Sequence, residues 1–284
     1  MQGDIAALHA DYERDGVVMV PSLIDSMWIQ KLREPIEALV AETCEKPPGL
    51  YTQGDIQIRS AEGGRITIHW LWRKYPAVRE FFNDQKMLET LAGIIGARRL
   101  KLFFDNTFVH LPGSAKSPGS PWHHDTAAFP FSGKQLPSLW ITLTDITPDM
   151  SPLRCLRGSH TGTTRYRPPV YVDQDAELPP EFADMPDFQA MVDAGEYEVA
   201  EWPEMQAGDA LVIHPYTIHG APGNASQGKT RIAFTSRLMG DDVRWQPTPF
   251  AMKMAGVDYD KIEVGSEPEG PLFPVVWTAG KEAA

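Results

Sequence analysis

The apolar positions divide the chain into two rhythms. In the first third they recur at helical steps: Ile5 to Tyr12 reads as a helix, and the run Val17–Val18–Met19–Val20, closed by Pro21, reads as a short strand. Asp25 or Ser26 is placed to cap a longer helix whose apolar residues Trp28, Leu32, Ile36, Leu39 and Val40 share one face, with Pro35 expected to kink or delay it. Tyr75–Phe82 and Lys86–Ile95 follow as two more helices, the second stopping at Gly96. Residues 1–98 are therefore expected to form a mainly helical buttress.

From Leu100 the rhythm changes. Leu100–Leu111, Leu139–Ile146, Ala210–His214 and Arg231–Leu238 are rich in β-branched and aromatic residues and are separated by loops bearing Gly and Pro. In the last of these, Ile232, Phe234, Ser236 and Leu238 alternate with Ala233, Thr235 and Arg237, so one face should meet a core and the other a lumen or solvent. No helix-length insert separates these strands regularly, which favours a barrel or sandwich over a parallel sheet. The expected layout is a single domain: a β core over 99–240, a Pro- and acid-rich insertion over 168–203 with one short helix around Phe182–Ala194, and a C-terminal extension over 241–284. The insertion could be a lid or an exposed decoration.

Composition narrows the function classes. The 284 residues are 42% hydrophobic and 23% charged, enough for a sizeable core. A net charge of −12 opposes attraction to phosphate backbones and anionic lipid, so neither nucleic acid nor membrane is an expected partner. The first twenty residues carry Asp4, Glu13 and Asp15 where a secretory leader would be basic and then apolar, and the expected address is the cytoplasm. Cys44 and Cys155 are too few for a disulfide framework and lack the spacing of a zinc site.

The chemistry lies in Pro121–Trp122–His123–His124–Asp125. Residues two apart on extended backbone face the same side, so His123 and Asp125 converge while His124 turns away. A third ligand must come from elsewhere, and the segment Gly208–Gly220 carries both His214 and His219. Two imidazoles and one carboxylate on one face leave metal positions open, the arrangement of non-haem Fe(II) oxygenases. Such a metal would hold a bidentate 2-oxo acid and still admit O2, and oxidative decarboxylation of the acid would supply an oxidant able to take hydrogen from carbon. The acid's distal carboxylate needs a cation. Arg231, opening the strand after His219, is the candidate, because a guanidinium fork pairs bidentately with carboxylate.

At this point the chain resembles the phytanoyl-CoA dioxygenase family of Fe(II)/2-oxoglutarate oxygenases. The matching pieces, in order, are His110–Leu111–Pro112–Gly113, Trp122–His123–His124–Asp125, Phe129–Pro130–Phe131, Leu156–Arg157–Gly158–Ser159–His160, Gly208–Asp209, and His219–Gly220 through Asn224 to Arg231. The resemblance covers about residues 100–240. It implies a double-stranded β-helix (jelly-roll, cupin-like) core with flanking helices, iron at His123, Asp125 and His219 rather than His214, and 2-oxoglutarate held by Arg231. Relatives often carry Lys at position 110, Ser at 221 and Pro at 157, where this chain has His110, Ala221 and Arg157. The first two positions contribute to 2-oxoglutarate binding in the family, which places His110 and Ala221 at the co-substrate. Asp125 is present where related halogenases carry a small residue that admits halide, which implies hydroxylation over halogenation.

Weaker candidates surround these. Asn106 precedes the metal motif and could point inward to 2-oxoglutarate or substrate; Phe129, Phe131, Trp140, Trp72 and Arg154 are candidate substrate contacts. For the aromatic groups, including His69–Trp70–Leu71–Trp72, ordinary core packing is the rival. For Arg154, Arg157, Arg165 and Arg167 it is a solvated surface with internal pairs. His160 and His214 read as structural. The expected activity is oxidation of an aliphatic C–H bond of a small molecule, as in secondary metabolism, with release of succinate and CO2. Hydroxylation, desaturation, cyclisation, endoperoxide formation and epimerisation all remain open. The acidic charge argues against a strongly anionic acyl-CoA as substrate, and the protein is expected to be a monomer or homodimer. Two rival classes are a cupin-like metal hydrolase or isomerase with Zn(II), and a non-catalytic sensor of 2-oxoglutarate or another metabolite.

Overall fold

A computed structural model describes residues 5–113, 119–162, 164–169, 175, 177–254 and 256–280. The chain opens with α1 (Ile5–Asp15), β1 (Val17–Val20) and α2 (Ser26–Cys44), whose start is capped by the Asp25 carboxylate accepting from the Trp28 N–H at 3.1 Å. Pro35 neither delays nor ends α2; the helix runs through it with Leu32, Ile36 and Leu39 buried. Three strands follow, β2 (Gly49–Gln53), β3 (Ile56–Ala61) and β4 (Arg65–His69), then α3 (Leu71–Lys74), α4 (Pro76–Phe81) and α5 (Gln85–Ile95), which stops at Gly96 with φ +67°. To the helices expected in this region the structure thus adds three strands that the sequence reading did not place. Ile56 and Ile58, and Ile66 and Ile68, alternate at the period of two that pleated strands impose, and all four are buried.

The second part contributes β5 (Arg99–His110), β6 (Ser120–His123), β7 (Phe131–Ser132), β8 (Ser138–Thr142), β9 (Arg154–Leu156), β10 (Arg165–Tyr166), β11 (Phe182–Ala183), α6 (Phe188–Asp193), β12 (Val199–Glu201), β13 (Ala210–Ile213), β14 (His219–Ala221), β15 (Arg231–Met239), β16 (Arg244–Trp245) and β17 (Val275–Thr278). Among the described residues the larger sheet runs β1-β13-β8-β15-β5-β4-β3-β2 with β17 also on β5, and a four-stranded sheet runs β12-β9-β14-β6. Together they form a double-stranded β-helix flanked by helices.

The alternation along β15 sorts its faces as expected. Ile232, Phe234 and Leu238 point outward into the main core, where they meet residues of α1, α2, α4 and α5 such as Tyr12, Ile36, Phe81 and Leu88. Arg231, Thr235 and Arg237 point inward and line a cleft between the sheets. A smaller core of Val17, Trp140, Leu153, Cys155, Leu211 and Ile213 fills part of that interior, and an aromatic cluster that includes Phe103, Phe131 and Trp245 joins β5, β7 and β16.

The insertion differs from its expected outline. Residues 170–174 and 176 lie outside the described ones; so do 163, 255 and the final 281–284. The helix covers only Phe188–Asp193, because Pro186 disfavours helical backbone before it and Asp187 caps the first turn by accepting from Ala190 N at 3.0 Å. Phe188 packs with Leu156 and Ile218, and β12 joins the smaller sheet, so this segment backs the sheet that carries the metal motif. Among the described residues no helix is long and apolar enough to cross a membrane.

One buried acid ties the first part to the second. Asp105 on β5, fully buried, accepts from the N–H groups of Leu71 and Trp72, both at 2.9 Å, and so anchors the start of α3 after Trp70, whose φ is +69°. Burial raises this carboxyl from an ordinary 3.8 to about 7, against the opposing pull of the two N–H groups and of Arg73 and Arg237. Between those values the fold keeps a proton that the unfolded chain has released, so this group's contribution to stability falls as pH rises from about 4 to about 7. Asp105→Asn should therefore gain stability relative to wild type across that range in urea unfolding. A difference between the two proteins that does not change with pH would refute the assignment.

Candidate active site

The site begins with one cross-strand pair. His219 on β14 lies directly opposite His123 on β6, so both imidazoles leave the smaller sheet on the same face, their ring centres 4.3 Å apart. Asp125 stands two residues beyond His123, where the backbone leaves the strand for a short 3-10 turn at Thr126–Ala128. Its Oδ1 lies 3.9 Å from the Nε2 atom of each histidine, and the ligand atoms of all three residues fall within 4.8 Å of one another.

Proton placement suits a metal. Nδ1 of His123 bonds the Pro121 carbonyl at 2.8 Å, and Nδ1 of His219 bonds the Thr217 carbonyl at 2.9 Å. A carbonyl only accepts, so each Nδ1 carries the proton and each Nε2 presents its lone pair inward. Burial and the facing His219 push the His123 imidazole down to about 3. For Asp125, burial acts upward but is outweighed by Arg237, helped by the Ser138 hydroxyl, which together hold the carboxyl well below its ordinary range. Two neutral imidazoles and one carboxylate are a donor set that fits a divalent transition metal.

Arg237, which the sequence reading did not single out, organises the carboxylate. Its Nη2 donates to Asp125 Oδ2 at 2.9 Å, its Nη1 donates to Asn106 Oδ1, and the Ser138 hydroxyl also donates to Asp125 Oδ2. Oδ2 is thereby occupied and Oδ1 is left facing the imidazoles. Arg237 is 5% exposed, with Phe104 and Phe129 rings 5.7 and 5.4 Å from its guanidinium. The available signal was a charged residue on the inward face of β15. Asn106 does point inward, but to Arg237.

The other end of the cleft is cationic. Arg231, 2% exposed, lies 5.1 Å from the Trp140 ring and 3.5 Å from Ser151 Oγ, and its Nε has no hydrogen-bond partner. Burial and the nearby Arg65 lower its guanidinium to about 9. His110 sits opposite Arg231 on β5; burial, Arg231 and Arg65 keep it neutral, pushed down to about 2. Ala221 and Trp140 line the same cleft.

The remaining candidates lie elsewhere. Phe131 is in the aromatic cluster, with Phe129 between that cluster and Arg237. Trp72 packs where that cluster meets the main core. Arg154 leans over Trp122 at 5.1 Å and near Glu201 at 3.7 Å, flanking Cys155, whose side chain belongs to the interior; the structure does not bring Phe131, Trp72 or Arg154 into the cleft. The basic cluster resolves into internal pairs, Arg157 with Asp15 and Glu198 and Arg167 with Asp184. His214 packs edge-on against His160 and at a tilt against Tyr12, and accepts from Tyr216 N at 3.2 Å, away from the triad. His124 is buried, bonding Thr126 Oγ1 at 2.8 Å and accepting from Tyr166 N at 3.1 Å.

Comparison with known proteins agrees with this geometry. The human peroxisomal phytanoyl-CoA dioxygenase is 24% identical over 229 residues, 76% of this chain; the match spans 63% of the human protein, a little under two thirds of its length. Among solved structures, the non-heme α-ketoglutarate-dependent epimerase SnoN of nogalamycin biosynthesis, in complex with Fe3+, α-ketoglutarate and nogalamycin RO, superposes with a TM-score of 0.69 at 20% identity, covering 96% of this chain and 98% of its own. The carbocyclase SnoK of the same biosynthesis gives 0.69 at 20% identity over 95% and 96%. The family model described as phytanoyl-CoA dioxygenase (PhyH) matches residues 12–233, and the chain belongs to that family.

Proposed function

We propose that this protein is an Fe(II)- and 2-oxoglutarate-dependent dioxygenase that oxidises an aliphatic C–H bond of a small organic molecule, releasing succinate and CO2. The observation that carries the reading is one cleft holding a three-ligand face at His123, Asp125 and His219 together with a buried guanidinium, Arg231, that has no carboxylate partner among the described residues. A buried cation left unpaired is costly, so its placement calls for an anionic ligand. A zinc hydrolase or isomerase would need it only for an anionic substrate.

When bound, the iron supplies activation of O2 coupled to decarboxylation of the 2-oxo acid. The protein's own residues do the rest. His123, His219 and Asp125 Oδ1 would hold the metal on one face, and Arg231 would fix the far end of the co-substrate. Trp140, Leu153 and Ile213 give the space between an apolar lining. Arg237 and Ser138 hold Asp125 to a single metal-facing oxygen. Retention of Asp125 supports C–H oxidation over halogenation, and the two neighbours from nogalamycin biosynthesis support a small secondary metabolite as substrate.

Anaerobic titration of the Fe(II)-loaded protein with 2-oxoglutarate should develop a weak visible charge-transfer band. Arg231→Ala should need about tenfold to hundredfold more of the acid, the cost of losing a charge-assisted hydrogen-bonded pair. Iron bound with no band at any concentration would sink the oxygenase reading. His219→Ala should lose iron on dialysis, whereas His214→Ala should keep it, as metal analysis would record. In Arg237→Leu two effects oppose: a repelling cation is removed, and Asp125 is freed to turn. Loss of orientation should win, weakening Fe(II) binding on the order of tenfold in chelator competition, as changes behind a ligand usually do.

A further inference from the structure

The cationic end of the cleft contains a second arginine that the proposed function does not use. Register across three strands places Arg65 on β4 opposite His110 on β5, and His110 opposite Arg231 on β15. Directly paired residues of antiparallel strands share a face at about 5 Å, so the three side chains form a row on the concave wall. All three line the same cleft as the metal triad.

The row carries buried polar nitrogens without partners. Nε of Arg65, Nε of Arg231 and Nδ1 of His110 are each buried without a hydrogen-bond partner. The two guanidiniums meet neutral oxygens, Gly119 O at 3.3 Å for Arg65 and Ser151 Oγ at 3.5 Å for Arg231. The chain has 38 acidic residues against 26 basic ones, yet no carboxylate pairs with Arg65 or Arg231 among the described residues. Two like charges two strands apart on one wall, with no counter-ion among the described residues, repel each other and leave donors unmet, an arrangement that becomes favourable once an anion arrives.

We infer that Arg65 is a second anchor for the distal carboxylate of the 2-oxo acid, which is held between two guanidiniums with His110 between them. This rests on the reading given under Proposed function. A carboxylate offers about four lone-pair sites on its two oxygens. A bidentate pair with Arg231 takes two of them, and the others face Arg65 and the His110 ring. Arg65 also bonds the carbonyl of Gly119, just before the strand that delivers His123, so it stands where the metal-bearing sheet and the cationic wall meet. The consequence is selectivity: the pocket discriminates for a dicarboxylic 2-oxo acid more strongly than one arginine would.

The test compares wild type, Arg65→Gln and Arg65→Lys. The Fe(II)-loaded proteins are titrated anaerobically with 2-oxoglutarate and with 2-oxobutyrate, which chelates but lacks the distal carboxylate. In parallel, the metal-free proteins are melted with and without glutarate, which has two carboxylates and no chelating ketone. Arg65→Gln should bind 2-oxoglutarate about tenfold or more weakly, the scale of one charged hydrogen bond. It should bind 2-oxobutyrate as wild type does and lose most of the glutarate-induced rise in Tm, and Arg65→Lys should restore much of both. Unchanged 2-oxoglutarate binding in Arg65→Gln would overturn the inference. So would equal weakening toward both acids, which would mark Arg65 as a structural support acting through Gly119. If wild type shows no band with either acid but its glutarate-dependent Tm rise still depends on Arg65, the two-arginine anion site stands and the oxygenase reading falls. If wild type shows neither effect, both fall.

Discussion

The arrangement of this protein depends on the register of β14 against β6. His219 faces His123 only because these two short strands pair at that position. Side chains on a strand alternate faces, so a slip by one residue would turn His219 outward and replace it with Ile218 or Gly220. Two local features hold the register. Ile218 is buried on the opposite face against Leu156 and Phe188, which gives that face its own reason to stay where it is. At Gly220 a Cβ would lie 2.8 Å from the Ser120 carbonyl oxygen, so a residue without a side chain lets the strands close to hydrogen-bonding distance beside the ligands.

Charge is distributed along the cleft in two different ways. At the metal end the buried carboxylate of Asp125 is compensated by Arg237, and the pair is satisfied further by Ser138 and Asn106. At the other end Arg231 and Arg65 are buried or half-buried without a carboxylate among the described residues. The compensated pair is a fixed part of the fold. The uncompensated end leaves buried polar nitrogens of Arg231, Arg65 and His110 without partners. Both ends hang on one strand, since Arg231 and Arg237 lie on the same inward face of β15, while its outward face is apolar and locked to the helices.

The helices take part indirectly. Tyr12, Ile36, Phe81 and Leu88 cover the outer face of the larger sheet, and that cover allows β15 and β5 to turn polar residues inward without unfolding the wall. The early hairpins extend the same wall, and one of them carries Arg65 to the cleft.

The candidate metal site was legible because its information is local and chemically narrow: two candidate ligands separated by one residue, a third on a distant His–Gly, and an arginine opening the next strand. The face of β15 was legible too, since alternation is a backbone property. The strands β2 to β4 were not, because short isoleucine-bearing segments among helical stretches give little signal until they pair with β5. Which residues share the cleft was likewise a tertiary decision. Arg237 reaches Asp125 across 112 positions of chain and Arg65 meets Arg231 only through β5, whereas Phe131, near in sequence to Asp125, packs into an aromatic cluster. Sequence by itself determined the chemistry on offer. Strand register and burial decided which charges meet, because those depend on pairings between segments far apart in the chain.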